Sequence, residues 1–315
     1  MRRFLALFLL AFAALAGAED HVRFIVTGDG RGSDNGVNAA ALGRLVKAVV
    51  AEKPDALLYS GDLVAGASTD EEELSQFKTW QKAMGPIYDA GIKVLACRGN
   101  HEMRAPHSTE DWKSAMSGRY ASPGEGPAGE EGMTYAYTVK NVTFIALDQF
   151  GTNSPGVDQK WLDALLAKEH ALHVFAFAHK MAFFSGAHTD GLFTTPDKRD
   201  ALMKSLHSAG CRAVFFGHDH LYDHAAVSLP GWKDEMHQFV VGTAGAPFYK
   251  SKQLTTTDRD WKISRIKHVE ERIGYCVVDV VGEKVTVVFK AETSIGVFEP
   301  VDSVSWIVPL GQSRK

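Results

Sequence analysis

Three times in its first hundred residues this chain repeats one unit. An apolar run of strand length ends in a short polar turn, and a helical pattern follows. The runs at 21–29, 56–62 and 93–98 end in Asp29-Gly30-Arg31, Gly61-Asp62 and Gly99-Asn100-His101-Glu102. Between the first two, Leu42, Leu45, Val46, Val49 and Val50 recur at helical spacing before Pro54. Between the second and third, Thr69 and Glu72 form a capping box. That box opens a helix with Leu74, Phe77, Met84 and Ile87 on one face, which Gly85-Pro86 is expected to kink and Gly91 to close. Strands alternating with helices build a parallel sheet, and ligands of such sheets gather beyond the carboxyl ends of the strands. All three polar blocks therefore fall on one edge.

The rest of the chain continues the theme. Residues 118–132 are rich in Gly, Pro and Glu and read as an exposed loop. Segments 134–139 and 142–148 read as an antiparallel pair around Lys140-Asn141. A helix over 157–168 carries Trp161, Leu162, Leu165 and Leu166 on one side, and a second covers 197–209. Strands at 174–178 and 213–216 deliver His179 and Gly217-His218-Asp219-His220, and strands at 239–242, 274–281 and 284–290 complete the set. The prediction is an α/β fold in one domain over 19–315.

Together the blocks supply two aspartates, one asparagine and three histidines, the donor types of a paired divalent-metal site. Asp62 follows a glycine that permits a tight turn and close approach to an ion. Asn100 adds a neutral oxygen, and His218 and His220, two apart on a turn, can reach two neighbouring ions. His101 follows Asn100 and points the other way if the chain is extended, which is where an unligated general acid would stand. Any one of these residues alone reads as a capped turn or a surface histidine. The ordered set reads as a metal-dependent hydrolase.

That set resembles the calcineurin-like metallophosphoesterase superfamily: an Asp block, Gly-Asp, Gly-Asn-His-Glu, a lone His and Gly-His-x-His, spanning nearly the whole chain after residue 18. Leu147-Asp148, Gln159 with Trp161-Leu162, and the segment from Gly242 to Pro247 add to the likeness, and His218 to Tyr222 is similar to the purple acid phosphatase-like branch. The resemblance implies a two-sheet β-sandwich flanked by helices in four α/β/β/α layers. It implies Asp29, Asp62 and His220 on a first metal and Asp62, Asn100, His179 and His218 on a second, the ions being Mn, Fe or Zn. The implied reaction is hydrolysis of phosphate mono- or diesters, by in-line attack of metal-bound hydroxide with His101 protonating the leaving oxygen.

The chain also departs from the family pattern. Where many members carry a first-metal histidine it has Arg31, and where purple acid phosphatases place a tyrosine ligand it has Ala65. Arg31 can contact substrate phosphate through charge-assisted hydrogen bonds, or partner an acidic ligand. The weakened first site leaves an alternative, a non-catalytic phosphate- or headgroup-binding relative. Arg98 reads as structural and His224 as a surface residue. Segments 183–196 and 248–268 read as the loops that choose a phosphorylated small-molecule or lipid substrate, although a solvated loop with core-anchoring aromatics fits the second equally.

Arg2-Arg3, the apolar stretch 4–15 and Ala16-Gly17-Ala18 read as a cleavable export signal, too short for a comfortable membrane span, so a periplasmic or secreted protein without a stable span is expected. A net charge of −4 argues against a nucleic-acid footprint. The compartment permits a disulfide, but Cys97, Cys211 and Cys276 lie in or beside apolar runs and read as buried thiols. Oligomeric state is not encoded in any pattern found.

Overall fold

A computed structural model describes residues 20–122, 126–151, 153–168 and 170–309; the expected export signal lies outside them. The chain runs β1 (His21–Thr27), β2 (Arg31–Asp34), α1 (Ala39–Glu52), β3 (Ala56–Tyr59), α2 (Asp70–Asp89), β4 (Lys93–Ala96), α3 (Ser108–Ala115), β5 (Tyr135–Val139) and β6 (Val142–Ala146). It continues α4 (Gln159–Leu166), β7 (His173–Phe177), α5 (Pro196–Ser208), β8 (Ala213–Phe216), β9 (Tyr222–Ser228), β10 (Met236–Val241), β11 (Thr257–Asp258), β12 (Trp261–Val269), β13 (Gly274–Val281), β14 (Lys284–Ser294) and β15 (Val297–Ile307).

Two mixed sheets result, ordered β15-β14-β13-β1-β3-β4 and β11-β12-β9-β10-β8-β7-β6-β5. Side-chain alternation explains their stacking. On β1, Phe24 and Val26 enter the core between the sheets with Phe144, Phe175 and Phe215, while Ile25 faces the layer under α1 and α2. A third cluster packs the second sheet against α4 and α5. Helix, sheet, sheet and helix thus form the four-layer α/β sandwich. Among the described residues, no helix is long and apolar enough to cross a membrane.

The helices start where local chemistry satisfies their first N–H groups. Asn38 caps α1 through Ala41 N (3.1 Å), and Thr69 caps α2 through Glu72 N (3.4 Å). Four acidic residues in the first turn of α2 complement its dipole. That helix runs through Pro86 to Asp89 as one element, and its buried face uses Trp80 where the periodicity suggested Leu74.

Several expectations are corrected. Residues 261–269, read as part of a loop, are strand β12. His224 is fully buried between the sheets. Its Nδ1–H donates to Asp302 (2.7 Å) and its Nε2 meets His237 Nδ1 (3.0 Å), while Tyr222 also donates to Asp302 (2.7 Å). The three cysteines are buried and free, as the sequence suggested.

Candidate metal centre

The predicted blocks converge where the carboxyl ends of the two sheets abut. Asp29 and Asp62 follow β1 and β3, both in the left-handed region (φ 62° and 51°), and both are buried. Asp29 N donates to Gly61 O and Gly30 N to Asp62 O, each at 3.0 Å, which locks the two turns together. Gly99 and Gly217 are required by contact. A Cβ on Gly99 would lie 2.1 Å from Asp62 Oδ1, and one on Gly217 would lie 2.3 Å from Asp29 Oδ2.

Glu102, unassigned from sequence, organises these turns. Its carboxylate accepts from Asp62 N (3.0 Å), Val64 N (3.0 Å) and Gly99 N (2.7 Å). Burial and the Asp62 charge push it up to about 8 against those three donors. Gln149 Oε1 similarly accepts from His179 N (3.1 Å) and Lys180 N (2.6 Å), placing the lone histidine. Arg98 is structural as expected: it grips Asp148 through Nε–Oδ1 (3.0 Å) and Nη2–Oδ2 (2.6 Å), tying the end of β4 to the end of β6.

The protons on the histidines decide what the site can hold. His179 Nδ1 faces Ser60 O (2.8 Å), and a carbonyl only accepts, so that nitrogen carries the hydrogen. His218 Nε2 likewise faces Asp190 Oδ1 (2.9 Å). Burial pushes the two rings down to about 3 and about 4, so each is neutral at pH 7 with a single proton. Their other nitrogens, His179 Nε2 and His218 Nδ1, lie 3.1 Å apart. Asn100 Oδ1 is 3.0 Å and Asp62 Oδ1 3.4 Å from His179 Nε2. Three acceptors thus face the unprotonated Nε2 of His179. A cation removes that repulsion, and the donor set of one carboxylate, one amide and two imidazoles fits a divalent metal.

The other set behaves differently. His220 donates from Nδ1 to Pro247 O (2.5 Å), and its Nε2 lies 3.5 Å from Asp29 Oδ1. Burial, followed by the Arg31 charge, lowers His220 to about 2. Burial and the Asp62 carboxylate raise Asp29 well above the usual carboxylate range. Ligand atoms of Asp29, Asp62 and His179 lie within 4.8 Å of one another. Yet the Arg31 guanidinium occupies this side, with Nη2 3.4 Å from His220 Nε2 and Nε 3.5 Å from Asp62 Oδ2. As arranged, Asp29, Asp62 and His220 do not fit a second divalent ion, because a fixed positive charge already faces two of them.

His101 stands beside both sets. Its Nδ1 is held by Ala65 O (2.6 Å), leaving Nε2 3.7 Å from Asp62 Oδ2 and 3.3 Å from Arg104 Nη2. Burial lowers the ring to about 4. Ala65, standing where a tyrosine ligand was sought, thus contributes its carbonyl. Two expected loop residues also reach the site: the His188 ring stacks 4.0 Å from that of His218, and the Tyr249 ring 4.3 Å from that of His220. Asp219, buried between the two histidines of its block, accepts from Ser185, Ala187 and His188 and so pins the first of these loops.

Asp190 carried no signal in the sequence, since its role depends on a turn that returns it to His218. It accepts from Lys180 Nζ (2.6 Å) as well, and the His218 hydrogen bond, then Lys180, hold it well below the usual carboxylate range. Partners of this kind fix ring orientation and tautomer. Asp190→Ala is expected to weaken Mn²⁺ or Zn²⁺ binding by about 10–100-fold, read by chelator competition. Unchanged affinity would show that His218 needs no such support.

Buried carboxylates, neutral imidazoles and an amide meet at the strand ends of a two-sheet sandwich, a donor set suited to a divalent metal. The chain belongs to the calcineurin-like phosphoesterase family, whose pattern matches residues 22–222. It is similar to Probable inactive purple acid phosphatase 14 of Arabidopsis thaliana, 24% identical over 233 residues, covering 58% of this chain and 57% of that protein. The chain therefore spans little more than half the length of that relative. Its fold is shared with purple acid phosphatase PPD1 from yellow lupin (Lupinus luteus) seeds, with TM-score 0.69, 16% identity, and 92% of this chain and 54% of that one covered. It is shared also with GAP50, the anchor in the inner membrane complex of Plasmodium, with TM-score 0.65, 15% identity, and 92% and 89% covered.

Proposed function

We propose that this protein is a metal-dependent phosphoesterase. The observation that carries the reading is the convergence of Asp62, Asn100 and His218 acceptors on the unprotonated Nε2 of His179, in a chain of this family. These four would hold a divalent ion, which supplies Lewis acidity toward phosphoryl oxygens and acidifies water. Arg31 then offers a guanidinium for the equatorial oxygens of the ester. His101 presents Nε2, the ring nitrogen not committed to Ala65, to the departing oxygen. Protonating that nitrogen makes it a general acid, and an anionic ester arriving beside it favours the protonated form. His188 and Tyr249 wall the entrance, where substrate choice is made.

The test is purified protein supplied with Mn²⁺ or Zn²⁺ and a panel of monoesters, diesters and nucleotides. Hydrolysis of at least one class is expected. His101→Gln should slow an alkyl ester by about 10²–10⁴-fold and an aryl ester with a good leaving group far less. Equal losses on both would remove the acid role. Arg31 also favours the second reading, a non-catalytic phosphate or headgroup binder. Ion binding without turnover across the panel would select it.

A further inference from the structure

We infer that Arg31 is a built-in replacement for one of the two ions the family resemblance implies, so that the chain works with a single divalent metal and a guanidinium. The inference rests on the phosphoesterase reading and refines how that site meets a phosphate ester.

The Arg31 side chain is only 17% exposed, and three partners fix it. Nη2 donates to the Tyr249 hydroxyl (3.0 Å) and lies 3.4 Å from the unprotonated Nε2 of His220. Nε lies 3.5 Å from Asp62 Oδ2 and is buried with no hydrogen-bond partner. Tyr249 is itself held, its ring lying flat against His220 at 4.3 Å and edge-on to His188 at 4.8 Å. The guanidinium thus faces one oxygen of Asp62, while the other faces His179. One carboxylate is shared between a metal position and a covalently attached cation.

Charge supports this division. Asp29 and Asp62 are both buried, so two carboxylates crowd one site. The Arg31 guanidinium, with Nε 3.5 Å from Asp62 Oδ2, offsets that charge, which is the service a first ion would perform. A divalent ion placed among the buried Asp29, Asp62 and His220 would meet the guanidinium at close range, where like charges repel. A guanidinium differs from an ion in what it offers a phosphate: a planar fork of donors matching two oxygens, and no open coordination position. A phosphoryl group with two free anionic oxygens, one toward the metal and one toward Arg31, suits this pairing.

The experiment counts ions. The full protein is equilibrated with excess Mn²⁺, freed of unbound metal and analysed for manganese per chain. Inorganic phosphate affinity and ester hydrolysis are measured on the same sample. One ion per chain is expected for the wild type, and two for Arg31→His, in which an imidazole replaces the cation. Arg31→Gln should bind phosphate at least tenfold more weakly. Two ions in the wild type would overturn the inference and, with hydrolysis retained, leave the phosphoesterase reading standing. Unchanged phosphate affinity in Arg31→Gln, with the count still one in Arg31→His, would also overturn it. No bound metal and no hydrolysis would overturn both readings.

Discussion

Asp62→Asn is expected to cut phosphoester hydrolysis on the order of a thousandfold, equivalent to about 4 kcal/mol of lost transition-state stabilisation, while leaving the fold as stable as before or more so. Asp62 faces both halves of the site: His179 Nε2 at 3.4 Å from one oxygen and Arg31 Nε at 3.5 Å from the other. An amide of the same shape keeps one acceptor at most and carries no charge, so either the metal position or Arg31 loses its counter-charge. Stability should move the other way. Asp62 raises both Asp29 and Glu102, so in the folded state each charged carboxylate is disfavoured by its neighbour. A raised carboxylate pKa weakens the fold above the unfolded pKa and strengthens it as pH falls. Removing the Asp62 charge therefore relieves repulsion at neutral pH, a trade of function against stability. Urea denaturation of the ion-free protein paired with an aryl phosphate assay checks both halves. Activity within tenfold of wild type would remove Asp62 from the centre of the mechanism.

Arg98→Met is expected to cost about 3–5 kcal/mol of folding free energy, because it strands a buried carboxylate. The Arg98 and Asp148 side chains are 1% and 0% exposed and meet by two parallel bonds, with Thr109 Oγ1 accepting a third from Arg98 (3.0 Å). Replacing both partners, as Arg98→Met with Asp148→Leu, should recover most of the loss, since the charge that needs compensation goes with its partner. Urea midpoints of the two variants decide the matter. A double variant no more stable than the single one would mean that packing, rather than charge, sets the cost.

The framework strands and the turns that follow them were readable because β1, β3, β4, β7 and β8 are buried on both faces and end in a polar block. What escaped reading has physical reasons. Strand β12 begins at Trp261 and carries Lys262, Arg265, Lys267 and His268 on a partly exposed surface, so its apolar signal is diluted. Strand β15 lies at a sheet edge, tolerates Pro300 beside a register shift, and shows no clean alternation. His224 was misplaced because its partner Asp302 is 78 residues further along the chain. Asp190 and Glu102 act on ligands through contacts that only folding creates. Arg31 was visible as a departure; that it faces Asp62, His220 and Tyr249 together was not.

Glu102 carries one last consequence. By gripping the N–H groups of Asp62, Val64 and Gly99 it fixes the spacing of two ligand-bearing turns from within the chain. Ser60, Gln149 and Asp190 do the same for the histidines. In a small zinc domain the ion is what folds the site, and chelation unfolds it. Here the mould is cast before the ion arrives. An ion bound there would then exchange reversibly on a standing scaffold, following supply and affinity rather than the folding history of the chain.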